Sequence, residues 1–125
     1  MKPEHLQTGA RGEQQAADYL ESMGYLILER NWRVGKSEVD IIAGREDEVI
    51  FVEVKTRKNL RHGLPELLVN AAKEKKMQEA AKSFLECIQP GHTIRFDIIA
   101  IIENGEEQGI HHVENAFLGK TERWR

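Results

Sequence analysis

The sequence predicts an α/β domain in which a mixed β-sheet is flanked by helices. Two segments repeat apolar residues at helical spacing, and the segments between and after them are rich in β-branched residues. In chain order they read as helix, three strands, helix, and one or two strands. Apolar residues make up 40% of the 125 residues, which fits one domain with a single core and excludes a disordered chain.

The first helix is predicted over residues 10–23, and Gly24 ends it as a C-terminal cap. Its apolar stripe consists of Ala16, Ala17, Leu20 and Met23. An apolar-rich strand follows over residues 25–32, where Trp32 is expected in the core or at its rim.

The next two strands form a predicted hairpin. Residues 39–43 and 49–56 are β-branched runs on either side of a polar turn. If the turn is centred on Glu46 and Asp47, residues whose numbers add up to 93 lie opposite each other.

The second half of the chain predicts a helix and two strands. A loop with Gly63 and Pro65 leads to a helix with Asn70 as its N-cap, which ends before Pro90. The apolar stripe of this helix is Met77, Ala80, Ala81, Phe84, Leu85 and Ile88. Residues 93–102 form a strand, residues 109–113 form a short edge strand, and the polar tail over residues 119–125 is expected to fray.

Composition indicates a cytoplasmic protein with no membrane partner. The longest apolar runs are about five residues, far below the ~20 that span a bilayer, and the first eight residues lack the apolar region of a signal peptide. The single cysteine, Cys87, cannot form an internal disulfide and is expected to be a small core residue.

The net charge of −3 conceals an uneven distribution. Residues 55–76 carry +5 and the rest of the chain −8. A local basic segment is compatible with phosphate binding, because screening limits charge effects to about 8–10 Å at working salt. A solvated helix face is the other interpretation of this segment.

The predicted hairpin register brings two carboxylates together. Asp40 lies opposite Glu53, and Glu38 lies opposite Lys55. A shared proton could relieve the repulsion of Asp40 and Glu53, or a divalent cation could, since Mg²⁺ is typically held by one or two carboxylates with water and phosphate. Lys55 would then neutralise a phosphoryl transition state or orient an attacking water. The alternative is a structural ion pair of Lys55 with Glu53 or Glu38.

Two further charged side chains point inward on the predicted helices. Glu13 shares the stripe of Ala16 and Ala17, although its place in the first turn would also favour the helix dipole. Lys73 lies four residues before Met77 and so faces the sheet. Lys75 and Lys76 are expected to face solvent.

Other polar residues are given structural interpretations. Asp97 shares a strand face with Arg95, and a buried ion pair that supports the fold is expected. His111 and His112 point to opposite faces of a strand and cannot chelate together, so they are interpreted as scattered polar residues.

The hairpin residues resemble a known nuclease signature. Asp40 followed by Glu53-Val54-Lys55 is similar to the Asp…Glu-x-Lys pattern of the PD-(D/E)xK nuclease superfamily, whose fold is restriction-endonuclease-like. More closely, the chain resembles the YraN family (uncharacterised bacterial protein family 0102), related to archaeal Holliday-junction resolvases. The similar stretches are residues 9–13, 31–33, 38–43, 51–57, 63–66 and 95–97, within a core of about residues 9–118.

The resemblance implies a role for each matched residue. Asp40 and Glu53 would bind Mg²⁺ or Mn²⁺ with the Val54 carbonyl as a third ligand, Lys55 would position or activate water, and Glu13 would complete the site. The phosphate-binding residues would be Arg57, Lys58, Arg61 and Lys73.

Two functions follow as hypotheses. The first is a metal-dependent endonuclease acting on DNA, including branched DNA, for which a homodimer would suit a four-way junction. The alternative is a non-catalytic nucleic-acid-binding or assembly factor on the same fold. The joint presence of Asp40, Glu53 and Lys55 favours the nuclease. A carboxylate pair repels phosphate, so a protein that only binds nucleic acid has no need for one.

Overall fold

A computed structural model describes residues 4–58, 71–104, 107–117 and 122–123. Two helices and six strands lie in these ranges. In chain order they are α1 (Glu4–Ser22), β1 (Leu26–Val34), β2 (Ser37–Arg45), β3 (Glu48–Arg57), α2 (Ala71–Leu85), β4 (Thr93–Asn104), β5 (Glu107–Val113) and β6 (Glu122–Arg123).

The strands form one mixed sheet in the order β1-β2-β3-β4-β5, and β6 pairs with β4 outside this path. Strands β3 and β4 are parallel, whereas the other pairs are antiparallel. Parallel strands need a crossover, and α2 lies in the connection between β3 and β4. The predicted α/β class with a mixed sheet between helices is confirmed, and the architecture is that of a restriction-endonuclease-like core.

Each helix covers one face of the sheet, and we name the two faces after their helices. On the α1 face, Ala16, Ala17 and Leu20 are at most 2% exposed. They pack against side chains of β2, β3 and β4, namely Ile41, Ala43, Ile50, Val52, Ile99 and Ile101. On the α2 face, the predicted stripe from Met77 to Leu85 packs against the other side of the same strands. Burial of both faces explains why β3 is almost uninterruptedly apolar up to Glu53.

The hairpin between β2 and β3 has the predicted register over residues 41–45 and 48–52, but the pairing ends there, so the predicted cross-strand pairs Asp40–Glu53 and Glu38–Lys55 are not part of it. All pairs from Arg45–Glu48 to Ile41–Val52 add up to 93. Trp32 is half-buried against the α2-face cluster, as predicted, and donates a hydrogen bond from Nε1 to the Ala80 carbonyl at 3.1 Å.

Several expectations about the ends of elements are wrong. Helix α1 begins at Glu4 rather than at residue 10 and ends at Ser22, which leaves Met23 47% exposed instead of in the core. Helix α2 ends at Leu85, so Cys87 lies in the following turn and is exposed rather than a core residue.

The tail also differs from the prediction that it frays. Residues Glu122 and Arg123 form β6 against Thr93 and Ile94. Strand β5 pairs with β4 only from Ile98 onward, so the start of β4 presents backbone groups that a short strand can satisfy. Gly63, Pro65 and Asn70, predicted to precede the second helix, lie outside the described residues.

Neither helix in the described ranges is long and apolar enough to cross a membrane.

Candidate functional site

The site forms where β2 loses its regular alternation. In a regular strand, residues two apart share a face. Ile41 packs on the α1 face, yet Val39 packs on the α2 face. The neighbouring strand changes at the same level, since Asn31 adopts a left-handed φ of 55° between residues 30 and 32. Asp40 therefore lies at an irregular position, just beyond the last β2–β3 pair of Ile41 with Val52.

The Asp40 carboxylate takes the place of a backbone acceptor. Its Oδ2 accepts a hydrogen bond from the Val54 N–H at 2.8 Å. Since the N–H and C=O of one strand residue point to the same side, the Val54 carbonyl also faces the Asp40 side of β3. The role of the Val54 carbonyl as a third metal ligand, which the family resemblance implies, stays a prediction.

The surroundings of Asp40 disfavour the ionised form of its carboxyl group. Burial, followed by the neighbouring Glu53 carboxylate, raises the pKa of Asp40 from 3.8 to about 7, against a lowering by the Val54 hydrogen bond. Glu13 and Glu38 raise it further. Three further carboxylates thus disfavour the charge on Asp40, with Glu53 the strongest of them, and a bound cation would relieve this repulsion.

Glu53 lies on the α2 face and is 8% exposed. Its Oε2 lies 2.9 Å from the Lys73 Nζ of α2. Lys73 thus points toward the sheet, as its helical spacing predicts. The alternative of a structural ion pair of Lys55 with Glu53 or Glu38 is not observed, because Glu53 pairs with Lys73 and Glu38 pairs with Arg33 at 2.7 Å.

Glu13 reaches the site because α1 approaches β3 closely. Gly12 is buried, and a Cβ at this position would clash with the Thr56 hydroxyl. A larger residue would push α1 away from the sheet and move Glu13 with it. Glu13 is half-buried, and its charge acts on Asp40, as described above.

The basic residues predicted from the sequence are spread over several places. Lys55 is half-buried, and no carboxylate in the described ranges forms an ion pair with it. Arg57 is half-buried and donates from Nη1 to the Thr56 carbonyl at 3.0 Å. Lys58 is exposed, and Arg61 lies outside the described residues.

A cavity of about 450 Å³ opens beside Asp40. Its lining residues are Lys36, Glu38 and Asp40 from the β1–β2 connection and β2, and Ala72, Lys73 and Lys76 from α2. Lys76 is exposed, as the sequence predicts, and it also lines this cavity, whereas the sequence did not single out Lys36. Lys76 follows Lys73 by three residues, a spacing that places both on one side of a helix. Lys36 gives no such signal, because only packing of β2 against α2 brings the turn to the cavity.

No three His, Cys, Asp or Glu side chains within the described part of the chain are grouped so that they could hold a metal ion by themselves. Two carboxylates with a carbonyl and water are nevertheless an ordinary donor set for Mg²⁺. Asp40 and Glu53 supply two such carboxylates, and burial together with the Glu53 charge raises the pKa of Asp40 to about 7.

A second polar cluster lies on the α1 face. Asp97 is fully buried and accepts two hydrogen bonds from Arg95, both at 2.8 Å. It also accepts bonds from the Asn115 N–H at 3.0 Å and from His112 Nε2 at 2.7 Å. Burial alone would raise the pKa of Asp97, but the hydrogen bonds from His112, Arg95 and Asn115 outweigh it and hold the pKa below 3.8. The predicted ion pair of Asp97 with Arg95 is confirmed.

His112 is not a scattered polar residue, which corrects the sequence interpretation. Its side chain is 9% exposed, and its Nδ1 lies 2.8 Å from the Tyr19 hydroxyl of α1. The donor to Asp97 must be Nε2–H, because the ionised carboxylate can only accept. Tertiary packing of β5 beside β4 produces this contact, and no local pattern indicates it.

The fold and the site together define the class: an α/β domain with a restriction-endonuclease-like core and an acidic site at the β2–β3 hairpin. The profile of Uncharacterised protein family UPF0102 matches residues 12–101. The chain belongs to this family, which confirms the assignment made from the sequence motifs.

Relatives match almost from end to end. The chain is 44% identical over 108 residues to the UPF0102 protein of Cytophaga hutchinsonii, covering 86% of this chain and 94% of that protein. It is 45% identical over 115 residues to the UPF0102 protein of Bacteroides thetaiotaomicron, covering 91% and 94%. The corresponding protein of Trichlorobacter lovleyi is 45% identical over 117 residues, covering 87% and 88%.

Proposed function

We propose that this chain is a cytoplasmic, metal-dependent endonuclease that hydrolyses phosphodiester bonds in DNA. One observation carries the proposal. Asp40, with its pKa raised to about 7 by burial and by Glu53, lies in the wall of a cavity whose rim carries three lysines. Carboxylates that repel each other beside ammonium groups suit a cation together with a phosphate.

The donor set fits Mg²⁺ or Mn²⁺. Asp40 and Glu53 would hold the ion, with the Val54 carbonyl as a third ligand and Glu13 acting through water. When bound, such an ion polarises the phosphate and lowers the pKa of water. Lys73 would have to give up part of its contact with Glu53 and would then be available to a phosphate oxygen.

Lys55 has a separate task in this proposal. It follows Glu53 by two residues on β3, so its ammonium group is expected on the same face of the strand. From there it would hold a non-bridging phosphate oxygen and orient the attacking water. Arg57, Lys58 and Arg61 would hold phosphates farther along the strand.

The test is single-turnover cleavage of a four-way junction and of a linear duplex, with Mg²⁺ or Mn²⁺. Wild type should cut at least one substrate, and Asp40→Asn should abolish cleavage. Lys55→Met should lower the rate by about 10²–10³ with little change in affinity, because a group that acts mainly on the transition state speeds the chemistry without improving binding.

The matched control is Lys75→Met, which removes an exposed ammonium on α2 that does not line the cavity. It should cut at the wild-type rate. A wild-type protein that cuts neither DNA with either metal would contradict the nuclease, and equal rates for Lys55→Met and wild type would contradict the role of Lys55.

One contact favours a second candidate, a non-catalytic nucleic-acid-binding or assembly factor. The Glu53–Lys73 ion pair at 2.9 Å already neutralises one of the two carboxylates. A binding module would keep this pair and use the remaining lysines for phosphate. DNA binding without cleavage, together with no Mn²⁺ affinity, would favour this candidate. Whether two copies associate on a branched substrate is a further part of the proposal, measurable by light scattering with and without a junction.

A further inference from the structure

The cavity beside Asp40 has two walls that hydrogen bonds connect. On one side lies the β1–β2 connection with Lys36, and on the other lies α2 with Lys76. The Ser37 hydroxyl donates to Glu79 of α2 at 3.0 Å, one residue from Lys36. The Trp32 indole also donates to the Ala80 carbonyl of α2. The backbones that carry the two lysines are thus held at a fixed separation.

The charges on these walls are unequally compensated. Glu38 is paired with Arg33, and Lys73 is paired with Glu53. Within the ranges that the structure describes, neither Lys36 nor Lys76 forms an ion pair with a carboxylate. Two ammonium groups without carboxylate partners therefore lie on opposite walls of one cavity, and an anion between them would be attracted by both.

The size of the cavity restricts what this anion can belong to. A roughly spherical space of about 450 Å³ is about 9–10 Å across. The major groove of B-DNA is about 12 Å wide, and the whole duplex is wider still, so a double helix cannot enter this cavity. A single nucleotide can, provided that its base is not paired at that moment.

We propose that Lys36 and Lys76 form a phosphate clamp for an unpaired DNA strand, which enters the cavity one nucleotide at a time beside Asp40. This assignment rests on the proposed function, which makes the bound strand a substrate. It names the substrate class as DNA with an unpaired segment, such as a flap or a frayed end. Intact duplex would be bound only along its surface and more weakly.

Equilibrium binding in EDTA tests the clamp without any contribution from cleavage. The probes are a fluorescein-labelled oligo-dT strand and a blunt duplex of the same length, followed by fluorescence anisotropy over a range of salt concentrations. Loss of one phosphate contact should reduce the slope of log affinity against log salt by about 0.7 for a single strand. If the affinities are equal at 1 M salt, this change in slope corresponds to roughly eightfold weaker binding at 0.05 M salt for each lysine.

The variants are Lys36→Gln and Lys76→Gln, with Lys75→Gln as the matched control on the same helix. Both clamp variants should show the eightfold loss on oligo-dT, and the control should bind as wild type does. Equal binding by all four proteins would overturn the clamp. Duplex binding as tight as strand binding, with the same dependence on Lys36 and Lys76, would overturn the unpaired-strand assignment.

The outcomes also separate the clamp from the nuclease. If the two lysines control strand binding but no metal produces cleavage, the clamp stands and the proposed nuclease fails. If cleavage depends on Asp40 while binding ignores both lysines, the nuclease stands and the clamp fails.

Discussion

At the scale of single residues, Asp40 determines the character of the site. Its carboxylate stands in for a backbone acceptor at the Val54 N–H, where the β2–β3 pairing ends. The same position buries it beside Glu53, which raises its pKa to about 7. A carboxyl group whose pKa is raised this far is more typical of a functional site than of a structural ion pair.

Stability should therefore depend on the charge of Asp40. The folded-state pKa of about 7 lies above the usual 3.8, so the folded state holds this proton more tightly than the unfolded state. The favourable contribution is present below pH 4 and is lost as the pH rises through 7. In EDTA, Asp40→Asn should be more stable than wild type at pH 8 by on the order of 2–4 kcal/mol, and similar to it at low pH.

Urea unfolding followed by circular dichroism at several pH values measures this difference. Asp18→Asn is the control, because Asp18 is exposed on α1 and accepts a hydrogen bond from the neighbouring Gln14 side chain. It should keep the wild-type pH dependence. Parallel stability profiles for Asp40→Asn and wild type between pH 5 and 8 would contradict the raised pKa.

At the scale of elements, the Asp97 cluster joins parts of the chain that are far apart in sequence. Arg95 binds Asp97 within β4 and reaches Glu48 at the start of β3 at 3.2 Å. His112 connects β5 to Tyr19 of α1. The cluster lies on the α1 face, opposite the face on which Glu53 meets α2, so it supports the sheet without entering the proposed site.

Neutralising Asp97 should destabilise the fold without affecting metal binding. Asp97→Asn leaves the half-buried Arg95 without its nearest carboxylate, and such losses cost on the order of 3 kcal/mol. Because the folded-state pKa of Asp97 lies below 3.8, its contribution is present above that value and is lost as the pH falls below it. Wild type should thus lose part of its stability in acid, and Asp97→Asn should show a smaller loss.

Chemical denaturation at pH 7 and in acid provides the comparison, with Glu21→Gln on the exposed side of α1 as the control. An Asp97→Asn variant as stable as wild type at neutral pH would show that the buried charge contributes nothing. Mn²⁺ titration of the same variant should give the wild-type affinity, since Asp97 is not in the donor set.

At the scale of the whole molecule, the carboxylates come from two layers. Glu13 is on α1, Asp40 and Glu53 are on the sheet, and Lys73 reaches the sheet from α2. Any ligand that binds these groups in the folded state alone should stabilise all three layers together.

Mn²⁺ should accordingly raise the thermal unfolding temperature. At a hundredfold excess over the dissociation constant the stabilisation is about 2.7 kcal/mol, which corresponds to several degrees for a domain of this size. Differential scanning calorimetry with and without Mn²⁺ measures it. Asp40→Asn should lose the shift, whereas Asp18→Asn should retain it, and the same shift in both variants would place the ion elsewhere.

The sequence alone determined the order of elements from α1 to β5, the hairpin register over residues 41–52 and the proximity of Asp40 to Glu53. These follow from local patterns: alternation along β3, a turn at Glu46 and Asp47, and helical spacing in α2. Glu13 and Lys73 were also predictable to point inward, since their helix faces are fixed by a period of 3.6 residues.

Only the tertiary structure decided which charges in its described part are paired and which are not. Lys73 rather than Lys55 pairs with Glu53, and His112 hydrogen-bonds to Asp97. Lys36 lines the cavity on the wall opposite Lys76. Each contact joins segments separated by many residues, and its existence depends on the separation of helices and strands after packing. Local periodicity sets the face of an element on which a side chain lies, but only packing sets the distance to its partner across the layer.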